Sequence, residues 1–188
     1  MKPPLRIVLY GPESTGKSTL AAALAARFDA PWSAEFVREY WDTHGGVITA
    51  ADLDAIACGQ VAGEEAALAR AGASGARLVF HDTDLLTCML WDDLLFPGAC
   101  PPWVRSEAGR RVKAADLYLF CDTDMPWTPD PQRCFPDAEG RAMCRRLWLE
   151  TLERTGVRWA RVYGSADERE ARAALAVEGV LARCAVRT

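Results

Sequence analysis

The residues Gly11-Pro12-Glu13-Ser14-Thr15-Gly16-Lys17-Ser18 match the pattern GxxxxGK[ST], a spacing suited to holding a nucleoside triphosphate. Glycines at both ends allow close backbone approach, so amides from Gly11, Glu13, Ser14, Thr15, Gly16 and Thr19 can donate to phosphate oxygens. Lys17 is placed to bridge the β- and γ-phosphates, and Ser18 to ligate Mg²⁺. ATP and Mg²⁺ are therefore the expected cofactors.

A phosphate loop names no acceptor, so the remaining polar constellations matter. Leu78-Val79-Phe80-His81-Asp82-Thr83-Asp84 is an apolar run ending in two carboxylates. In an open parallel sheet, residues just past the carboxyl end of a strand face the ligand crevice. Asp82 is expected to hold Mg²⁺ or to take the proton of an attacking hydroxyl, with Asp84 in the remaining role. The spacing does not divide these roles, and Asp84 equally suits the N-cap of the next helix. His81 is expected to pack within the strand. Glu35-Phe36-Val37-Arg38-Glu39-Tyr40-Trp41 follows a second apolar run, which puts Glu35 in the same crevice, with Arg38 and Tyr40 beside the acceptor. Between 122 and 136, four prolines stand among polar residues; this reads as a lid. Its Arg133 would close over the γ-phosphate, with Arg141 and Arg145 as alternatives.

These residues need a frame, and the sequence supplies one by alternating short β-type runs with helical stretches. Leu5 to Tyr10, Trp32 to Phe36, Arg77 to His81, Asp116 to Cys121 and Val157 to Tyr163 read as strands. Lys17 to Phe28, Ala50 to Ala71, Asp84 to Leu94, Cys144 to Arg154 and Asp167 to Cys184 read as helices, the last opened by a Ser165/Glu168 capping box. The proline-rich stretch Phe96 to Trp103 reads as a break. The order predicts an α/β fold: a five-stranded parallel sheet flanked by helices, P-loop NTPase in type and nucleotide-kinase-like, with a lid. At 188 residues it is expected to be a single kinase domain spanning 1–188.

Composition removes several other roles. The net charge of -4 comes without a polybasic run, so neither nucleic acid nor an anionic membrane surface is an expected partner. The chain has no apolar stretch of membrane-spanning length, and its first residues run into a strand and turn rather than a cleavage site, as in a mature cytoplasmic protein. Seven scattered cysteines and two histidines, with no CxxC pair, argue against a disulfide framework or zinc site. The composition suits an oligomer as well as a monomer.

Taken in this order, the segments GPESTGKSTL, AEFVREY, DTDLLT and PWTPDPQR resemble the ribosylnicotinamide kinase domain of the bifunctional bacterial NAD-biosynthesis regulator and its stand-alone relatives, over roughly Leu5 to Leu181. The resemblance implies MgATP-dependent phosphorylation of the ribose 5′-hydroxyl of nicotinamide riboside, giving nicotinamide mononucleotide. It also implies a small-molecule acceptor held by Glu35, Arg38, Tyr40 and Asp82, with an aromatic residue against the cationic ring. Ala34 stands where the family often has that aromatic, leaving Trp91, Trp41 or Trp32 to supply a cation–π face. Pro131 stands where the lid usually has glycine; it fixes φ and removes an N–H. No H-x-G-H signature is present, so adenylyltransferase and repressor activities are not expected. Tyr163-Gly164-Ser165-Ala166 falls where related kinases hold adenine. Two other readings fit the same motifs: a P-loop kinase for another nucleoside, nucleotide or small metabolite, and a nucleotide-dependent regulatory module.

Overall fold

Apolar residues at consecutive positions of LRIVLY, LVFHD and LYLFC leave no polar face for water, which fits strands covered on both sides. In a computed structural model of the chain, which describes residues 3–186, these become β1 (Leu5–Tyr10), β3 (Leu78–Asp82) and β4 (Leu117–Cys121). Two shorter strands, β2 (Trp32–Ser33) and β5 (Trp159–Val162), complete one sheet in the order β2-β3-β1-β4-β5. Every neighbouring pair is parallel. Met1, Lys2, Arg187 and Thr188, which the expected 1–188 span includes, lie outside the described residues.

Seven helices occupy the described residues: α1 (Lys17–Arg27), α2 (Phe36–Thr43), α3 (Leu53–Ser74), α4 (Leu85–Leu95), α5 (Pro102–Ala114), α6 (Ala138–Thr155) and α7 (Ala166–Val186). Alternation along β1 sends Ile7 and Leu9 to one face, against Leu20 and Leu24 of α1 and Val177 of α7. Val8 and Tyr10 go to the other, among Leu90 of α4 and Trp148 and Leu152 of α6. The Tyr10 hydroxyl, buried there, donates to the Trp148 carbonyl at 3.1 Å. Central β1 lies between β3 and β4, so the loops after β1, β3 and β4 converge at one end of the sheet.

Several boundaries differ from the sequence expectation for identifiable reasons. The second strand ends at Ser33 rather than Phe36, because Glu35 is the N-cap of α2 and the Phe36 amide donates to Gln60 on α3 instead of to a ladder. Gly59 leaves the space on α3 that the Phe36 ring fills. Helix α5 is absent from the sequence reading. The proline-rich break is shorter than expected because Pro102 opens this helix, where proline's missing N–H costs nothing. Helix α6 begins at Ala138, ahead of the expected Cys144, since the Asp137 carboxylate caps it by accepting from the Gly140 amide at 2.8 Å. The Ser165/Glu168 box is present: the Glu168 carboxylate accepts from the Ser165 amide at 2.8 Å and the Ser165 hydroxyl from the Glu168 amide at 3.3 Å.

Candidate active site

The glycine-rich loop leaves β1 through Gly11, at φ 151°, where a Cβ would run into the backbone oxygen of Cys121 at the end of β4. It enters α1 through Gly16, left-handed at φ 73°. Within the loop the Thr15 hydroxyl donates to the Pro12 carbonyl at 2.8 Å, and Lys17 Nζ donates to the same oxygen at 2.9 Å. Thr19 is exposed on the first turn of α1. A residue that sequence reasoning missed completes the loop. Arg169 on α7, 3% exposed, donates to the carbonyls of Thr15 at 3.1 Å, Asp122 at 2.9 Å and Gly164 at 2.9 Å. One guanidinium thus ties the phosphate loop to the exits of β4 and β5.

After β3 the two aspartates part company. Thr83 between them has φ 73°, a strained conformation for a β-branched residue, and it turns the chain so that its neighbours face different partners. Asp82 is 1% exposed, and no hydrogen bond reaches its Oδ1 among the described residues. Burial raises its pKa, the nearby Glu35 carboxylate adds to that, and the Lys17 ammonium and Ser18 hydroxyl oppose it. Asp84 instead caps α4 by accepting from the Thr87 amide at 3.3 Å, and it accepts from the buried Tyr118 hydroxyl. Burial pushes its pKa up to about 6, against those bonds. Asp84 thus stands in the helix-capping place, and, like Asp82, it is not among the side chains that line the crevice cavity. His81 packs in the strand as expected: it is 4% exposed, shares a 2.8 Å bond with the Ser33 hydroxyl, and burial lowers its pKa to about 3.

Glu35 lies at the mouth of the same crevice. Its Oε1 accepts from the Thr83 hydroxyl at 3.4 Å and its Oε2 from Arg38 Nε at 3.2 Å. Tyr40 does not reach the cavity; its hydroxyl donates to Asp52 at 2.8 Å and its ring stacks on His44, fastening α2 to the 3-10 turn before α3. The expected acceptor contact from Tyr40 is therefore replaced by a structural one, because i to i+4 spacing pairs it with His44 along the helix.

The segment between β4 and α6 folds over the loop. The Glu13 carboxylate accepts from the Cys134 amide at 2.9 Å and the Phe135 amide, and Ser14 Oγ accepts from the Thr128 amide at 3.1 Å. Arg133 Nη1 donates to Ser14 Oγ at 3.2 Å and to the Thr128 carbonyl, while Trp127 presents its ring to both Arg133 and Arg141. Arg141 donates to the carbonyls of Thr123 and Met125, and Arg145 pairs with Asp122 at 2.6 Å. Both are thus engaged structurally. Pro131 occupies the second position of a turn closed by the Arg133 amide on the Asp130 carbonyl at 3.0 Å, where a fixed φ is favoured and no N–H is required.

A cavity of about 390 Å³ joins these parts. Glu13, Lys17, Glu35, Arg38 and Arg133 line its phosphate end; Trp41, Ile48, Ile56, Trp91, Leu95 and Phe96 surround the rest. Trp32, the third candidate aromatic, packs against the core instead. Several lining residues lay outside the sequence reading, notably Gln60, Thr87 and Asp92. On α4 the signal was available: Thr87, Trp91 and Leu95, like Cys88, Asp92 and Phe96, are four apart and share a face. Gln60 carried none, being one amide in an alanine-rich helix.

The model of the AAA domain family matches residues 6–169, most of the chain. The chain belongs to this family. It is also 28% identical over 160 residues to the trifunctional NAD biosynthesis/regulator protein NadR of Escherichia coli K12, a match covering 83% of this chain. The chain spans only 37% of that relative's length. Among solved structures, NadR in complex with NR superposes with a TM-score of 0.70 at 22% identity, covering 95% of this chain and 52% of that one. Thymidylate kinase from Ehrlichia chaffeensis gives 0.64 at 11% identity, covering 95% and 100%. The fold is that of the P-loop kinases, as expected from the sequence.

Proposed function

We propose that this chain is a kinase that transfers the γ-phosphoryl group of ATP to the ribose 5′-hydroxyl of nicotinamide riboside, giving nicotinamide mononucleotide. The observation that carries the reading is the continuity of the cavity: the phosphate-loop lysine, a carboxylate and an aromatic pocket open into one space of about 390 Å³, a size suited to a small ligand. The sequence similarity to NadR, together with the order of the four motifs, supports this acceptor over others.

The donor nucleotide would sit on the amides of residues 11–19, with Lys17 leaving the Pro12 carbonyl for phosphate oxygens and Arg133 approaching from the lid over 122–136. Among the described residues, no cluster of three or more His, Cys, Asp or Glu side chains is arranged to hold an ion, but Mg²⁺ does not need one when phosphates supply most ligands. The unpartnered Asp82 Oδ1 beside Ser18 offers hard oxygen donors that fit this ion, and Ser18 and Asp82 would hold it. When bound, it would neutralise charge developing on the transferred group.

Glu35 is the residue best situated to orient the acceptor hydroxyl and take its proton, because it lines the cavity and Asp82 lies behind it. Arg38 holds the Glu35 carboxylate in place. Trp41 and Trp91 line the cavity and would supply the aromatic contact to a cationic ring. The reaction suits a cytoplasmic protein, and no helix among the described residues is long and apolar enough to cross a membrane.

The test is ADP release by the purified chain with MgATP and nicotinamide riboside, nicotinic acid riboside, thymidine, adenosine, uridine or no acceptor. Release driven by nicotinamide riboside, with an equal amount of nicotinamide mononucleotide, is expected. Release driven only by another nucleoside, or without any acceptor, would overturn the reading.

A further inference from the structure

The apolar end of the cavity holds one charged side chain that the phosphoryl-transfer scheme does not use. Asp92 is 5% exposed and lines the cavity beside Trp91, between Cys88 and Phe96 on the same row of α4. Its Oδ2 is buried and receives no hydrogen bond of ordinary geometry among the described residues, the Cys100 thiol being its near neighbour. A buried carboxylate oxygen without a donor costs on the order of 1–3 kcal/mol, so its place at the rim of an otherwise apolar pocket calls for a donor from outside the chain. Burial moves its pKa up to about 6, opposed by the Cys100 thiol and Arg105 and assisted by Asp93, which leaves it mainly ionised at neutral pH.

Its distance from the phosphate end defines which part of an acceptor it would meet. Asp92 lies seven residues beyond Leu85, the first residue of α4, which at the rise of a helix is about 10 Å along α4 from its start. The reacting hydroxyl belongs near Glu35 and Lys17, so Asp92 falls at the base of a nucleoside, not at its ribose 5′ position. A flat ring against Trp91 would present its edge to Asp92.

We propose that Asp92 determines specificity for the base, accepting a hydrogen bond from an exocyclic N–H₂ such as the carboxamide of nicotinamide riboside and excluding ribosides that carry a carboxylate there. This rests on the proposed kinase reading. The amide supplies a donor to the carboxylate; a carboxylate at the same place would put two like charges together in a low-dielectric pocket, a repulsion that Arg105, already paired with Asp93, offsets only in part. Sites built around a polar group reject analogues that leave it unpaired far better than apolar pockets reject an extra group.

The experiment measures kcat/KM for nicotinamide riboside and nicotinic acid riboside with the wild type, Asp92→Asn and Asp92→Ser, each checked by its thermal melt. The wild type is expected to favour the amide by about tenfold or more, and Asp92→Asn to reduce that ratio by about tenfold, chiefly through KM while kcat for the amide stays within about threefold. A wild type that phosphorylates both ribosides equally overturns the role of Asp92 and leaves the kinase reading standing, and needs no folded variant to do so. A wild-type preference unchanged in both variants also overturns it. Failure to phosphorylate either riboside, with another nucleoside accepted, would instead remove the kinase reading, and this inference with it.

Discussion

Arg38 Nη1 donates to Asp130 Oδ2 across 3.2 Å while its Nε holds Glu35, so one guanidinium joins the acceptor helix α2 to the segment that covers the phosphate loop. Arg38 is 38% exposed, which keeps each ion pair modest, but its geometry fixes the direction of the Glu35 carboxylate. Arg38→Met is expected to lower kcat by about tenfold, and Asp130→Asn by less, since the second change spares the bond to Glu35. Equal effects of the two variants in steady-state assays would show that the bridge, and not the orientation of Glu35, is what matters.

Lys17→Ala should lower kcat by at least about 10² to 10³, the usual consequence of removing a preorganised cation from phosphoryl transfer. Folding should be unaffected, because among the described residues this ammonium donates one hydrogen bond, to the Pro12 carbonyl at 2.9 Å. Turnover and circular dichroism measured on the same preparation check both halves.

Asp82 and Asp84 should separate cleanly by substitution. Asp82→Asn is expected to raise the Mg²⁺ concentration needed for half-maximal activity with little change in melting temperature. Asp84→Ala strips the acceptor from the Tyr118 hydroxyl and the Thr87 amide, and is expected to cost about 2 to 4 kcal/mol, or about 5 to 15 °C in melting temperature. A Mg²⁺ titration and thermal melts on both variants decide it; an unaltered melt for Asp84→Ala would contradict the capping role.

Acid stability should depend on Asp122. Burial alone would raise its pKa, but Arg145 at 2.6 Å, its hydrogen bond with the Thr123 amide at 2.8 Å, and Arg161 at 2.5 Å outweigh that and bring it down to about 2. A carboxylate depressed in the folded state stabilises fully above its unfolded value of about 4, and that contribution fades as pH falls from there through 2. Urea midpoints between pH 5 and pH 2 should therefore converge for the wild type and Asp122→Asn as pH decreases. A gap that widens toward low pH would refute this assignment.

The parts of this molecule that the sequence disclosed are those where chemistry dictates spacing. Glu13 and Lys17 of the phosphate loop and Glu35 after the second strand line one cavity, Asp82 after the third is buried beside Glu35, Lys17 and Ser18, and the strand–helix order yields the parallel sheet. What stayed hidden depends on contacts between distant segments or on local backbone sign. Asp82 and Asp84 look alike until Thr83 adopts a positive φ. Phe36 has the side chain of a strand residue, yet its amide is claimed by Gln60 across 24 positions. Pro102 reads as a breaker, although proline is welcome at a helix start. Asp92 and Gln60 sit in helices whose apolar residues suggest plain core, so only the cavity distinguishes them.

The phosphate loop is completed by a residue that lies 154 positions after Thr15. During synthesis, a chain that has emerged as far as β5 already carries all five strands and every glycine of the loop. It still lacks the guanidinium of Arg169, which pins the loop's carbonyl to the mouths of β4 and β5. The phosphate loop's full set of hydrogen bonds therefore arrives late in translation, with the first turn of α7, long after the motif itself has been made.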